Sequence, residues 1–236
     1  MTLRKKIFLL ILASIVLFSG SLLFFSRIQL RQNTLMISSA TEQQGIIIEN
    51  AIYERSHDLQ QIVTDYTNWD DIIPHLKTAD NNWATDNIAT IINSFGLQAV
   101  SVFNLNEKMV YGFGISPNEM LGSPKEQKEI IEKIRKNGFV HFFRMTANGI
   151  MEISAASIHP TLDTARQTSG NGFFFVSKLW NKKFLDELSK ITGSNITLEN
   201  AGYKVANSTE SHTLRTAILI KDQNNLPLCT FVFENP

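Results

Sequence analysis

The start of the chain and the remainder follow different hydrophobic rhythms. Residues 7–25 are nineteen in a row without a charge, and only Ser14, Ser19, Gly20 and Ser21 interrupt their apolar character. As a helix, such a stretch reaches about the width of a bilayer core. From Ser26 to about Thr64 there is no proline and a single glycine, Gly45. Apolar residues at Leu30, Leu35, Ile37, Ile48, Ile52, Leu59, Ile62 and Val63 predict one long helix leaving the apolar run. That length exceeds an average globular helix, so part of it is expected to pair with a second copy; the alternative is a helix draped on its own domain.

Pro74 is expected to end or kink this helix near Ile73. A looser stretch, Lys77 to Asn82, leads to a short helix marked by Trp83, Ile88, Ile91 and Ile92 and closed by Gly96. The period then changes to that of strands. Leu97 to Leu105 is apolar and β-branched, Asn106-Glu107 turns, and Lys108 to Phe113 returns as a hairpin. Ser123 caps a helix that begins at Pro124 and stops at Asn137-Gly138. Strands follow over Phe139–Met145, Ile150–Ile158 and Gly172–Leu179, with a polar loop from Thr161 to Gly170. Asn181 caps a helix over Lys182–Thr192, and Ile196–Leu198, Thr216–Lys221 and Leu228–Phe233 are strand-like. Hairpin connections without regular strand–helix–strand crossovers predict an α+β domain: an antiparallel sheet with helices on one face.

Charge orients the apolar run. Arg4-Lys5-Lys6 precede it directly and favour a cytoplasmic N-terminus with a translocated C-terminal side; Arg27 and Arg31 weaken this bias without reversing it. A cleaved signal peptide is disfavoured, because the run continues through Leu22-Leu23-Phe24-Phe25 past its small residues. Four parts result: a cytoplasmic N-terminus (1–6), a transmembrane helix (7–25), a stalk helix (26–64) and an extracytoplasmic domain (65–236). The whole chain is neutral, yet its first 31 residues hold five basic groups and no acid. The rest carries a net charge of −5 and offers no reason to expect nucleic-acid binding.

Enzyme signatures are absent: no dinucleotide or phosphate loop, no His-Glu-x-x-His and no Gly-x-Ser-x-Gly. The single cysteine, Cys229, excludes an intrachain disulfide and a cysteine metal cluster. His57, His75, His141, His159 and His212 lack ligand spacing, so neither metal nor cofactor is expected. The tripeptides Asn195-Ile196-Thr197 and Asn207-Ser208-Thr209 match the glycosylation pattern, as short patterns do by chance.

The best candidate site is Asp65-Tyr66-Thr67-Asn68-Trp69-Asp70-Asp71. On a helix Asp65 shares a face with Trp69, and Tyr66 with Asp70, which sets aromatic walls beside carboxylates. Such a box suits a cationic or amphipathic small ligand. The structural alternative has Trp69 filling the core while Asp70 or Asp71 caps a turn or accepts from backbone amides. Trp83 and Asn87 are again four apart and divide the same way. Phe103 on the first strand belongs to the candidate set. Phe173, Phe174 and Phe175 cannot all face one way, so Phe174 is expected to divide from the other two between core and pocket or surface. His159, at a strand end, is placed to point into a cleft.

The segment Asp65–Asp71 is similar to the Asp-Tyr-x-x-Trp-Asp-Asp signature of the fourth CHASE family, extracellular sensory domains of bacterial histidine kinases and cyclic-di-GMP enzymes. The strand Leu97 to Leu105 with its hairpin return, and the block Ala155-Ala156-Ser157-Ile158-His159-Pro160, polar loop, Gly172-Phe173-Phe174-Phe175-Val176, resemble that family in order. The likeness covers roughly Gln44 to Asn200. It implies a PAS-like sheet and a ligand-sensing receptor in the inner membrane, dimeric through its stalk, with a small-molecule ligand and the main domain periplasmic. Family members normally continue into a second membrane helix and an output domain, and the sequence stops at Pro236. The alternative function is an anchored protein-interaction or dimerisation module without a small-molecule ligand.

Overall fold

The structure, a computed structural model, describes residues 3–203 and 214–235. His212 and the Asn207-Ser208-Thr209 tripeptide lie outside them. The chain divides into two units, Met1–Ile46 and Ile47–Pro236. Helix α1 (Leu3–Thr67) supplies the first and opens the second. In the first unit it is long and apolar enough to cross a membrane, and Ile11, Ile15, Phe18, Leu22 and Phe25 all face outward.

The second unit is built on a five-stranded antiparallel sheet in the order β2-β1-β5-β4-β3. Its strands are β1 (Ala99–Asn104), β2 (Met109–Gly114), β3 (Phe139–Thr146), β4 (Gly149–Ser157) and β5 (Gly172–Trp180). On the central strands the alternation of side chains divides two cores. Val100, Val102, Phe174, Val176 and Ala156 pack with Leu59, Ile62 and Val63 of α1, Ile72 and Leu76 of α2 (Ile72–Thr78) and Ile91 of α4 (Thr90–Phe95). Ala99, Phe103, Phe173, Phe175 and Ile153 pack with Met120 and Leu121 of α5 (Pro117–Leu121) and Ile130, Ile131 and Ile134 of α6 (Pro124–Asn137).

The mixed, antiparallel fold class is the one the sequence predicts. The distribution of helices differs: they cover both faces. α6 presents one isoleucine stripe that must be buried, and β5 is apolar at every position from Phe173 to Val176, which calls for a layer on each side. Phe173, Phe174 and Phe175 are therefore all buried, at 2%, 0% and 0% exposure; none lies on an open surface. Each contributes roughly 1.5–3 kcal/mol through removal from water.

α6 is stopped at both ends by local chemistry. The Ser123 side chain accepts from the Glu126 amide while the Glu126 carboxylate accepts from the Ser123 amide, and Gly138 takes the left-handed conformation (φ 76°) that ends the helix. Those bonds to Ser123, with Arg144 beside them, pull the Glu126 carboxyl down to about 2.

A separate three-stranded sheet, β6-β8-β7, is formed by β6 (Asn195–Asn200), β7 (Leu214–Lys221) and β8 (Pro227–Asn235). With α7 (Lys182–Thr192) it encloses Phe184, Leu188, Phe231 and Phe233 around Trp180, and Ile48 of α1 joins this core. The strands expected in one sheet thus form two, because α7 follows Trp180 directly and starts a new layer. Trp180 reaches back from this core: its indole N–H donates to Glu152 Oε2 at 2.9 Å. His141 Nε2 lies 2.8 Å from the other oxygen, so this fully buried carboxylate has both oxygens engaged.

α1 does not run on to Pro74. It ends at Thr67, and Pro74 occupies the first turn of α2, where an absent amide hydrogen costs no helical bond.

Candidate functional site

The end of α1 fixes the site. Thr67 closes the helix with its hydroxyl donating to Val63 O at 2.6 Å. Asn68 then leaves the helix and forms a parallel bridge to His159, where β4 has just ended. Four bonds zip the two segments together. His159 N–H donates to Thr67 O at 2.8 Å. Thr161 N–H donates to Asp70 Oδ1 at 2.9 Å, Asp70 N–H to Thr161 Oγ1 at 3.2 Å, and Thr161 Oγ1 to Asn68 O at 3.2 Å. The helical pairing of Asp65 with Trp69 and of Tyr66 with Asp70 is therefore not formed, because backbone pairing with residue 159 outcompetes two more turns of helix. Asp65 and Asp70 are exposed.

The other candidates part into two groups. Tyr66, Trp69, Trp83 and Phe174 come together in an aromatic cluster. Tyr66 stacks on Phe174 with ring centroids 5.8 Å apart and meets Trp69 edge-on at 5.8 Å; Trp69 lies 5.2 Å from Trp83. Burial, and then Asp65, pushes the Tyr66 phenol above its ordinary value. Asp80 positions Trp83 by capping α3 (Asn81–Ala84), accepting from the Asn82 and Trp83 amides. Asn87, half-buried, donates to Trp83 O at 2.8 Å. It sits in a π-helical turn, Thr85–Ala89, a rare local geometry that recurs at functional sites.

His75 and Tyr111 belong to this cluster and were not singled out by the sequence. The His75 imidazole stacks on Trp83 at 5.1 Å and meets Tyr111 at 6.3 Å. The one available signal was its place directly after Pro74 in the tryptophan–aspartate segment.

His159 lies elsewhere, in a cleft of about 660 Å³ between the end of α6, the β1–β2 turn and the loop 160–171. Phe103 belongs to neither the aromatic cluster nor the cleft lining: it packs on the α6 face, edge-on to Phe175 at 5.4 Å. The cleft volume falls within the usual range for small-molecule sites. Its lining includes Leu105, Arg135, Lys136, Ser157, Arg166 and Phe173. Arg135 lies over the Phe173 ring at 5.2 Å and pairs with Glu107 and Glu132 at 2.8 Å each.

Asp163 organises the loop. Its carboxylate accepts from the Thr168 hydroxyl, the Thr168 amide and the Gln167 amide, at 2.5, 3.0 and 2.8 Å. Those bonds, and His159 after them, hold it well below the usual carboxylate range. A carboxylate only accepts, so His159 Nδ1, 3.0 Å away, carries a proton, and in the neutral ring Nε2 accepts from Ser157 Oγ at 2.8 Å. Serine, histidine and aspartate thus stand in the order of a hydrolytic triad. Gly170 packs against the pair, where a Cβ would sit 2.9 Å from Ser157 Cβ and 3.5 Å from His159 Nε2. The trio reads as a loop clamp. Arg166 completes it, donating to Ser157 O and to Thr67 Oγ1, both at 2.5 Å. One wall of the cleft is thereby bonded to the last residue of α1.

Solved structures with this fold include the periplasmic domain of Vibrio cholerae LuxQ. It is 11% identical, matches 83% of this chain and all of its own length, and has a TM-score of 0.56. A second, selenomethionine structure of that domain is 13% identical over 83% of this chain and 98% of its own, with a TM-score of 0.54. A looser likeness, TM-score 0.41 and 10% identity over 84% of this chain and 93% of the other, is to the ligand-binding domain of Campylobacter jejuni chemoreceptor Tlp3 in complex with L-valine. No curated protein sequence matches the chain. The sequence model of the CHASE4 domain matches residues 51–199, more than half of the chain. The protein therefore belongs to the CHASE4 domain family, a family of extracellular sensory domains.

Proposed function

We propose that this chain is the anchored sensory part of a bacterial receptor, that its small-molecule ligand occupies the His159 cleft, and that occupancy is reported through the end of α1. The observation that carries this reading is the double attachment of the loop 160–171. The loop walls the cleft, and through Arg166 and Thr161 it is bonded to Thr67, Asn68 and Asp70. A ligand that favours one loop position biases the end of α1 by its differential affinity for the two states.

The apolar run of α1 and the basic residues before it support an inner-membrane anchor with the amino terminus in the cytoplasm and the domain outside. The family's extracellular character and the fold shared with a periplasmic domain support that side. Exposed Leu35, Met36 and Ile37 follow the apolar run and support pairing of two α1 helices. The output is a histidine kinase or a cyclic-di-GMP enzyme, through which the receptor acts.

The test is thermal unfolding of the full chain in lipid nanodiscs against a panel of metabolites. A ligand raises the midpoint, and Leu105→Trp, which fills the cleft from an exposed position, abolishes the rise. A panel without any shift, or a shift that survives Leu105→Trp, removes the cleft as the sensing site.

A further inference from the structure

The cleft leaves one costly feature unused. His75 is only 3% exposed, and neither ring nitrogen has a hydrogen-bond partner among the described residues. Burial keeps the imidazole below its ordinary pKa, against a smaller opposing pull from Asp80. It is thus neutral at pH 7, with one donor and one lone pair both unsatisfied. A buried polar group left in this way is expensive, and a guest that bonds to it recovers that cost.

The surroundings say what that partner is. Trp83 covers the imidazole as a stacked ring, Trp69 adjoins Trp83, and Tyr111 meets the imidazole edge-on. Aromatic faces carry negative charge density and attract cations. From Asp65 to Asp86 the sequence holds five aspartates (65, 70, 71, 80 and 86) against one lysine, Lys77. Of these, Asp80 acts on the imidazole itself, so an anion is disfavoured there, and an apolar guest leaves the imidazole lone pair unpaired.

We propose that the Trp69–His75–Trp83 cluster is a second binding site, separate from the cleft, for a small organic ammonium ion carrying at least one N–H. The ammonium lies against the indole faces and donates to the free imidazole nitrogen. Access is through Trp83. It is half-buried, it lies one ring above His75, and it sits on a four-residue helix followed by the π-helical turn.

The probes are n-butylammonium, tetramethylammonium and n-butanol, titrated into the full chain in nanodiscs with tryptophan fluorescence and calorimetry. n-Butylammonium should bind saturably at millimolar concentration or below. Tetramethylammonium, lacking N–H, should bind more weakly, and n-butanol not at all. His75→Phe keeps the stacked ring and deletes the nitrogens. It should weaken n-butylammonium about tenfold while leaving tetramethylammonium unchanged. Trp83→Ala should weaken both cations, with circular dichroism confirming the fold. Absence of saturable binding, n-butanol binding as tightly as n-butylammonium, or an unaltered n-butylammonium affinity in His75→Phe overturns the proposal. None of these outcomes bears on the cleft, whose own test uses Leu105→Trp.

Discussion

One face of the five-stranded sheet carries short α5 and the 14-residue helix α6, the latter closed by a capping box and a left-handed glycine, with its isoleucines buried beneath. Several of its charged residues are partnered: Glu126 with Arg144, Arg135 with Glu107 and Glu132, Lys133 with the backbone of Gln223 and Asn224 Oδ1 at 2.8 Å. On the other face lie the last turns of α1, three helices of four to seven residues and a π-helical turn. That face keeps the half-buried rings of Tyr66, Trp69 and Trp83 and a buried imidazole with no hydrogen-bond partner among the described residues. Equal strands, Phe174 against Phe173 and Phe175, serve both. The α6 face is built for stability, and the α1 face retains the loose polar ends and short elements that recognition and movement draw on.

The largest expected effect tests that contrast directly. Phe175→Ala on the α6 face should cost about 3–5 kcal/mol. Phe174→Ala should cost about 1 kcal/mol less, because the half-buried rings of Tyr66 and Trp69 have room to move inward. Denaturant unfolding of the two variants gives the order, and a larger loss for Phe174→Ala breaks the comparison. Next comes the seam between the faces. Gly170→Ala sets a Cβ 2.9 Å from Ser157 Cβ, and the overpacking should cost about 1–3 kcal/mol and abolish any ligand-induced shift at the cleft.

Titration separates the faces further. His75 has its pKa lowered in the fold, so the unfolded chain binds more protons. Stability is complete above the ordinary imidazole value of 6.5 and falls as the pH drops below it. The slope reaches at most about 1.4 kcal/mol per pH unit, and His75→Phe should flatten it. Glu126 contributes stability that persists above the ordinary 4.5 and is lost as the pH falls toward about 2. Unfolding midpoints from pH 7 to 3 should therefore show the α1 face weakening first. The smallest effect belongs to the cap: Ser123→Ala should cost about 1 kcal/mol and leave both binding sites unaffected.

Element order was legible wherever local chemistry speaks for itself. Ser123-Pro124, Asn137-Gly138, Asn181 and Gly193 end their helices where side-chain caps and left-handed glycines require. Two features were hidden, and both depend on contacts distant in sequence. The end of α1 at Thr67 is decided by pairing with residue 159, which no helical propensity near Asp65 reveals. The second layer of helix and the second sheet depend on which apolar faces meet. The candidate site was legible in part. Aromatic residues of the tryptophan–aspartate segment do gather, with Trp83 and Phe174, but their carboxylates turn outward. Ser157, Asp163 and Arg166 carry no sequence pattern, since the loop that unites them closes only when Asp163 finds Thr168 and Gln167.

Bonding between the cleft loop and the end of α1 is most directly tested by hydrogen–deuterium exchange of the full chain in nanodiscs, comparing the wild type with Asp70→Ala. Loss of the carboxylate that holds the Thr161 amide should raise exchange together in residues 63–72 and 157–171, with α6 unchanged. Faster exchange confined to 157–171, with the last turn of α1 protected as before, would show that the loop moves alone and that the cleft has no route to the helix.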